Sequence, residues 1–81
     1  MLKDKVTIIS GSASGIGLEI SKEFLNQGAK VVFTDINKTN LDNVVRDFKD
    51  KGFNCIGIPA DVSNEDDVIN LVDETEKHYG R

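Results

Sequence analysis

With 81 residues, 38% of them hydrophobic and 30% charged, the chain is long enough for one small domain. Its net charge of −4 argues against a basic patch for binding nucleic acid or an anionic membrane surface, so neither is an expected partner. The single cysteine, Cys55, excludes an internal disulfide, and the apolar run 6–9 is too short for a signal peptide or a membrane span, so we expect a cytoplasmic location.

Strand-like and helix-like patterns alternate three times along the chain. Short runs rich in β-branched residues indicate buried strands. Apolar residues at i, i+3, i+4 and i+7, most clearly Leu41, Val44, Val45 and Phe48, indicate amphipathic helices. The patterns predict strands over 5–10, 30–35 and 53–59, helices over 15–27 and 38–51, and a last helix after 63–66.

The helix ends and faces are also predictable from local signals. Asn37 is the expected N-cap of the second helix, and Ser63 with Asp66 resembles a capping box for the last one. The first and last helices should each present one apolar face to the sheet. Those faces are predicted to be Ile16, Ile20, Phe24 and Gln27, widened by Leu25, on the first helix, and Val68, Leu71, Val72, Thr75 and Tyr79 on the last.

Helices that lie between strands imply parallel pairing with right-handed crossovers. The expected fold is therefore a three-layer, Rossmann-type α/β fold, with a parallel sheet of order 3-2-1. Its βαβαβα arrangement is one mononucleotide-binding half of a doubly wound fold, and residues 1–81 form a single half-domain that stops before a fourth strand. Without that neighbour the first strand would be an apolar edge, so we expect the isolated chain to self-associate.

A glycine-rich segment joins the first strand to the first helix. Gly11 suits a tight turn, Gly15 a close backbone approach to a pyrophosphate, and Gly17 close packing of the helix. Free N–H groups at the helix start would face the phosphates, and serine hydroxyls could add donors. Glycine strings also occur in ordinary turns, but this one lies inside a βαβ unit. The segment contributes Gly11, Ser12, Ser14, Gly15, Ile16 and Gly17 to the candidate site.

Asp35, 18 residues after Gly17, ends the second predicted strand. A carboxylate at this position can accept hydrogen bonds from the hydroxyls of an adenosine ribose, although it could instead merely start a turn. A 2′-phosphate would meet it with repulsion of roughly 4 kcal/mol at about 4 Å and an effective dielectric of about 20. An NADP site usually has Arg or Lys here, but Ile36 follows Asp35 and Lys38 is the one cation nearby. NAD is therefore the expected cofactor.

These residues resemble the short-chain dehydrogenase/reductase family. Its loop T-G-x-x-x-G-x-G is present with Ser10 in place of Thr, and the resemblance extends over the whole chain. Asp61-Val62 is similar to a pair of residues in the family, in which the Asp side chain and the backbone amide after it approach the adenine. Alternatively, Asp61 only shapes a turn. The resemblance implies an oxidoreductase that transfers hydride between a nicotinamide and a carbonyl or alcohol substrate.

The family's catalytic Ser and its Y-x-x-x-K pair are not found in these 81 residues, and no residue is assigned a catalytic or metal-binding role. Tyr79 is the only tyrosine and is expected to be the apolar end of the last helix. We therefore expect the cofactor-binding part of a longer enzyme, inactive by itself. Two alternatives stay open: a stand-alone nucleotide-binding or interaction module without catalysis, and a methyltransferase-like nucleotide site.

Overall fold

Three parallel strands form one sheet, and a helix follows each strand. The computed structural model describes residues 4–80. β1 pairs with β2 and β2 with β3, both in parallel, which confirms the predicted Rossmann-type βαβαβα arrangement and sheet order. The elements in chain order are β1 (Val6–Ile9), α1 (Gly15–Asn26), β2 (Lys30–Phe33), α2 (Lys38–Asp50), β3 (Cys55–Gly57) and α3 (Glu65–Tyr79).

The central strand β2 is the most deeply buried part of the chain. Val31, Val32 and Phe33 are each completely buried, because both edges of β2 are paired and both faces are covered. Val31 and Phe33 pack with Leu25 of α1 and Leu41 of α2. Val32, which points to the opposite face, packs with residues of α3 and of the segment after β3. The result is three layers, with α1 and α2 on one face of the sheet and α3 on the other.

The predicted core face of α2 is correct. Leu41, Val45 and Phe48 are buried, and the ring of Phe48 stacks on that of Phe33 with centroids 5.5 Å apart. The predicted cap is correct too, since the side-chain oxygen of Asn37 accepts a hydrogen bond from the N–H of Asn40 at 3.0 Å. α2 is thus specified by its own sequence at both its start and its buried face.

The predicted core face of α1 is correct at Phe24 and Leu25, which pack in the core, and wrong at Ile16, Ile20 and Gln27. Ser21 and Leu25 are the buried residues of this helix, whereas Ile16 is 79% exposed and Ile20 is also exposed. The face of α1 that packs against the rest of the protein contains Gly17, Ser21 and Leu25, at i, i+4 and i+8. Close contact of Gly17 with the preceding loop decides this rotation, and it turns the two isoleucines outward.

Two predictions for α3 also need correction. Leu71 and Thr75 are buried as expected, but Val72 is 49% exposed. The N-cap is Asn64 rather than Ser63: its side-chain oxygen accepts from the N–H of Asp67 at 3.1 Å. The hydroxyl of Ser63 instead donates to the carboxylate of Asp61 in the turn before the helix.

Within residues 4–80, β1 has a strand neighbour on one side only, and its residue Ile8 is 40% exposed. The predicted apolar edge is therefore present in this part of the chain. None of the helices in this part is both long and apolar enough to cross a bilayer. The same residues contain no cluster of three or more His, Cys, Asp or Glu side chains suited to a metal ion.

Candidate functional site

A cleft of about 330 Å³ lies where the carboxyl ends of the three strands meet. Parallel strands direct the loops that follow them to the same edge of the sheet, so residues distant in sequence converge there. Five of the ten predicted site residues line this cleft: Gly11, Asp35, Ile36, Asp61 and Val62, together with Ser10 and Ala60. The other five lie beside it, in the glycine loop and the first turn of α1.

Two glycines of the loop have a backbone conformation that favours glycine. Gly11 and Gly15 have φ angles of +61° and +60°, in the left-handed region that favours glycine. A Cβ built on Gly15 would meet no protein atom within 4 Å, so the backbone there faces open space. This is the arrangement needed for a ligand to approach the main chain.

Gly17 is required for a reason that differs from the predicted one. A Cβ on this residue would overlap the carbonyl oxygen of Gly11 and lie 2.9 Å from its carbonyl carbon. The close contact is therefore with the backbone of the glycine loop itself, not with the sheet. Glycine at this position lets the first turn of α1 sit directly on the loop.

The start of α1 has backbone donors without partners. Ser14 is the N-cap residue, in an extended conformation, and its side chain makes no capping hydrogen bond. The first helical bond at this end joins the N–H of Leu18 to the carbonyl oxygen of Ser14, at 3.3 Å. Among the described residues, no acceptor contacts the N–H groups of 15–17. These N–H groups and the positive end of the helix dipole together are suited to binding an anion.

The hydroxyl of Ser12, which the sequence suggested as a donor to the phosphates, is hydrogen-bonded to Thr34, the residue directly after β2. The residue is completely buried, and its hydroxyl donates to the carbonyl oxygen of Thr34 at 3.2 Å and accepts from the N–H of Thr34 at 2.9 Å. In this arrangement the hydroxyl is not free to donate to a phosphate. The sequence identifies the serine as a candidate, but it does not show that the backbone at the end of β2 bonds to its hydroxyl.

Asp35 both lines the cleft and holds the loop. One carboxylate oxygen accepts a hydrogen bond from the N–H of Ala13 and the other from the N–H of Asn37, each at 3.1 Å. The two readings of Asp35, as ribose ligand and as turn residue, are thus compatible. Each carboxylate oxygen can accept a second hydrogen bond, which leaves capacity for the hydroxyls of a ligand.

Asp61 forms a tight turn at the other wall of the cleft. Its carboxylate accepts from the hydroxyl of Ser63 at 2.6 Å and from the N–H of Ser63 at 2.9 Å. These two hydrogen bonds lower the pKa of Asp61 below its usual value, the hydroxyl having the larger effect. Its own N–H donates to Asp67 at 2.9 Å, which connects the turn to α3 and leaves the neighbouring Val62 exposed beside the cleft.

The turn at Asp61 yields a pH prediction. Because the pKa of Asp61 is lower in the folded state, the ionised carboxylate stabilises the fold. This stabilisation is complete above the unfolded-state pKa and is lost as the pH falls through the folded-state pKa. Ser63→Ala removes the larger cause, so we expect it to raise the pKa of Asp61 toward the ordinary value. An NMR titration of the side-chain carboxyl carbon measures this, with Ser14→Ala as the control. An unchanged pKa in Ser63→Ala would contradict the assignment.

Thr34, which sequence reasoning overlooked, has a completely buried side chain, and among residues 4–80 its hydroxyl finds no hydrogen-bond partner. An unsatisfied buried hydroxyl costs about 1–3 kcal/mol. We therefore expect the nearly isosteric Thr34→Val to leave the free energy of unfolding unchanged or to raise it by up to about 1 kcal/mol. Urea denaturation tests this, with Thr75→Val as the control, since the hydroxyl of Thr75 donates to Leu71 at 2.7 Å. Equal losses in both variants would show that the Thr34 hydroxyl is satisfied.

The three other residues considered from the sequence lie away from the cleft. The half-buried Tyr79 donates its hydroxyl to Asn54, which precedes β3 at the opposite end of the sheet. Burial, with a smaller effect of Cys55, raises the pKa of Tyr79, and burial raises that of Cys55 as well. His78 is exposed and contacts the ring of Tyr79. These positions fit the predicted structural roles of Tyr79 and Cys55.

A family profile described as short chain dehydrogenase matches residues 5–81. Among curated proteins, the chain is 48% identical over 81 residues to a tropinone reductase-like protein of Erythroxylum coca, covering 99% of this chain and 28% of that protein. It is 34% identical over 80 residues to the oxidoreductase YxjF of Bacillus subtilis, covering 99% of this chain and 31% of that protein. The chain thus spans about a third of the length of such relatives.

Solved structures agree with this match. A short chain dehydrogenase/reductase from Burkholderia phymatum, crystallised in complex with NAD, superposes with a TM-score of 0.95 at 30% identity, covering 99% of this chain and 28% of that one. A hydroxysteroid dehydrogenase from Escherichia coli superposes with a TM-score of 0.92 at 32% identity, covering 98% of this chain and 33% of that one. The likeness extends over the sheet, the helices and the glycine loop.

Proposed function

Because the chain belongs to the short-chain dehydrogenase/reductase family, we propose that it binds the adenosine and pyrophosphate portion of NAD. It would thereby act as the cofactor-binding part of an oxidoreductase. When bound, NAD supplies or accepts the hydride exchanged with a carbonyl or alcohol substrate. The observation that carries the proposal is the convergence of Gly11, Asp35 and Asp61 on one cleft beside the open start of α1.

The described residues fit a dinucleotide in two respects. A pyrophosphate needs unpaired N–H donors and room for its oxygens, and the first turn of α1 supplies the donors while the absent Cβ of Gly15 supplies the room. A ribose needs a carboxylate with free acceptor capacity, which Asp35 provides at the edge of the same cleft. Asp61 and Val62 line the same cleft, and their place beside the adenine is what the resemblance to the family implies.

Local charge favours NAD over NADP. The carboxylate of Asp35 would repel a 2′-phosphate, and the neighbouring Ile36 is an exposed apolar side chain. The nearby cation Lys38 is paired with Asp42 on its own helix, with 2.7 Å between the ammonium nitrogen and the carboxylate oxygen. This exposed pair is weak, but it directs Lys38 along α2.

Calorimetric titration tests the proposal with three ligands: NAD, NADP and S-adenosylmethionine. We expect NAD to bind at least about tenfold more tightly than NADP, which corresponds to about 1.4 kcal/mol. S-Adenosylmethionine, which would be preferred by a methyltransferase-like site, should give no measurable heat. Absence of NAD binding, or preference for S-adenosylmethionine, would refute the proposal. Hydride transfer is then assayed in the longest natural form of the protein.

A further inference from the structure

Two consecutive residues of the glycine loop are attached to the two residues that follow β2. Ser12 bonds to Thr34 through its hydroxyl and through its N–H, which donates to the carbonyl oxygen of Thr34 at 3.1 Å. The next N–H, that of Ala13, donates to the carboxylate of Asp35. The loop is therefore held from the side by the chain segment that also carries the ribose-binding carboxylate.

We propose that Ser12 is a positioning residue of the dinucleotide site, whose buried hydroxyl fixes where the loop and the α1 amides meet the pyrophosphate. The inference rests on the proposed function, because it names what holds that same site in place. It assigns Ser12 no contact with the ligand, in contrast to the role that its place in the motif suggests.

The hydroxyl of Ser12 bonds to Thr34, just beyond the last backbone pair of β1 and β2. The last paired residues of β1 and β2 are Ile9 and Phe33, and the next N–H, that of Thr34, still donates to Ile9 at 3.2 Å. The chain then turns at Gly11 and leaves the sheet. Ser12 returns its side chain to Thr34, so the hydroxyl continues the attachment beyond the point where backbone pairing stops.

The position of Ser12 is transmitted to α1 by direct contact. The Cα of Ser12 lies 3.2 Å from where a Cβ of Gly17 would be, so the first turn of α1 rests on this residue. The unpartnered N–H groups of 15–17 belong to that turn. A shift of Ser12 would therefore move the donors that face the phosphate.

Loss of the hydroxyl is expected to loosen the loop without unfolding the chain. In Ser12→Ala, the N–H of Thr34 keeps Ile9 as its acceptor, and its carbonyl oxygen keeps the N–H of Ser12. No buried backbone group would be left without a partner, which limits the cost in stability. The effect should thus appear in the loop and in ligand affinity.

The test compares Ser12→Ala with Ser21→Ala in the protein as it exists in its source. Ser21 is also completely buried, and its hydroxyl donates at 2.8 Å to the carbonyl oxygen of Gly17, inside α1. We expect Ser12→Ala to weaken NAD binding about fivefold, the equivalent of one ordinary hydrogen bond, and Ser21→Ala by less than about twofold. The affinity for adenosine, which lacks the pyrophosphate, should not change in either variant.

Amide hydrogen exchange without ligand gives a second readout. Exchange of the hydrogen-bonded N–H groups of Ala13 and Leu18 should accelerate in Ser12→Ala and stay unchanged in Ser21→Ala. If Ser12→Ala does not fold, Ser12→Cys replaces it, since a thiol fills the site with a slightly larger group that is a weaker donor. Equal effects of the two serine variants on affinity and exchange would overturn the inference. If the unsubstituted protein bound no NAD, the proposed function would fail, while exchange would still decide whether Ser12 holds the loop.

Discussion

Gly17→Ala is expected to destabilise the folded chain by about 1–3 kcal/mol and to weaken NAD binding by about tenfold or more. The added methyl group would overlap the carbonyl group of Gly11, which is backbone and cannot rotate away like a side chain. The loop or the first turn of α1 must then move, and both contribute to the proposed phosphate site. Urea denaturation and calorimetric titration with NAD measure the two effects.

Gly52→Ala is the matched control for this substitution. Gly52 follows α2, has a φ angle of +91°, and a Cβ there would meet no atom within 4 Å. Its replacement should cost about 1 kcal/mol through backbone strain alone and leave NAD affinity unchanged. If Gly17→Ala were as mild as this control, the close packing of α1 on the loop would not be essential.

Asp35→Asn is expected to weaken NAD binding by about tenfold or more, since hydrogen bonds to a charged group contribute about 1.5–3 kcal/mol. The amide nitrogen of Asn would also face an N–H group, either of Ala13 in the glycine loop or of Asn37, so one of these two hydrogen bonds would be lost. That loss affects any dinucleotide. Removal of the negative charge, by contrast, should help NADP alone.

The ratio of the NAD and NADP dissociation constants therefore isolates the ribose-binding role of Asp35 from its role in the loop. We expect the preference for NAD to fall by about tenfold or more in Asp35→Asn. Asp73→Asn is the control, because it removes the same charge from an exposed position on α3 that does not line the cleft. An unchanged ratio in Asp35→Asn would mean that the carboxylate does not face the 2′ position.

Much of the fold was predictable because its signals are local. The face of α2 follows from four apolar residues at helical spacing, and its N-cap from one asparagine followed by a helical pattern. The parallel sheet follows from the alternation of strands and helices, which leaves few topologies open. Gly11 and Gly15 were identified because a tight turn and a close backbone approach both favour glycine, and their spacing matches a phosphate-binding loop.

The predictions failed where a helix meets the loop before it, because contacts with that loop are not part of the helix's own apolar pattern. The hydroxyl of Ser63 bonds to the carboxylate of Asp61 in the turn before α3, and the side chain of Asn64 caps the helix. For α1, the apolar pattern of Ile16 and Ile20 indicated one face. The contact between Gly17 and the glycine loop selected another.

The sequence by itself determined the order of the elements, the glycine turn and the presence of an acidic residue after the second strand. Periodicity and backbone preference act over a few neighbouring residues, so they can be read without the fold. Only the tertiary structure decided that Ser12 faces Thr34 rather than the cleft, and that Asp35 holds Ala13. Those contacts join residues 22 positions apart, and they exist only once β1 and β2 have paired and brought the loop against the end of β2.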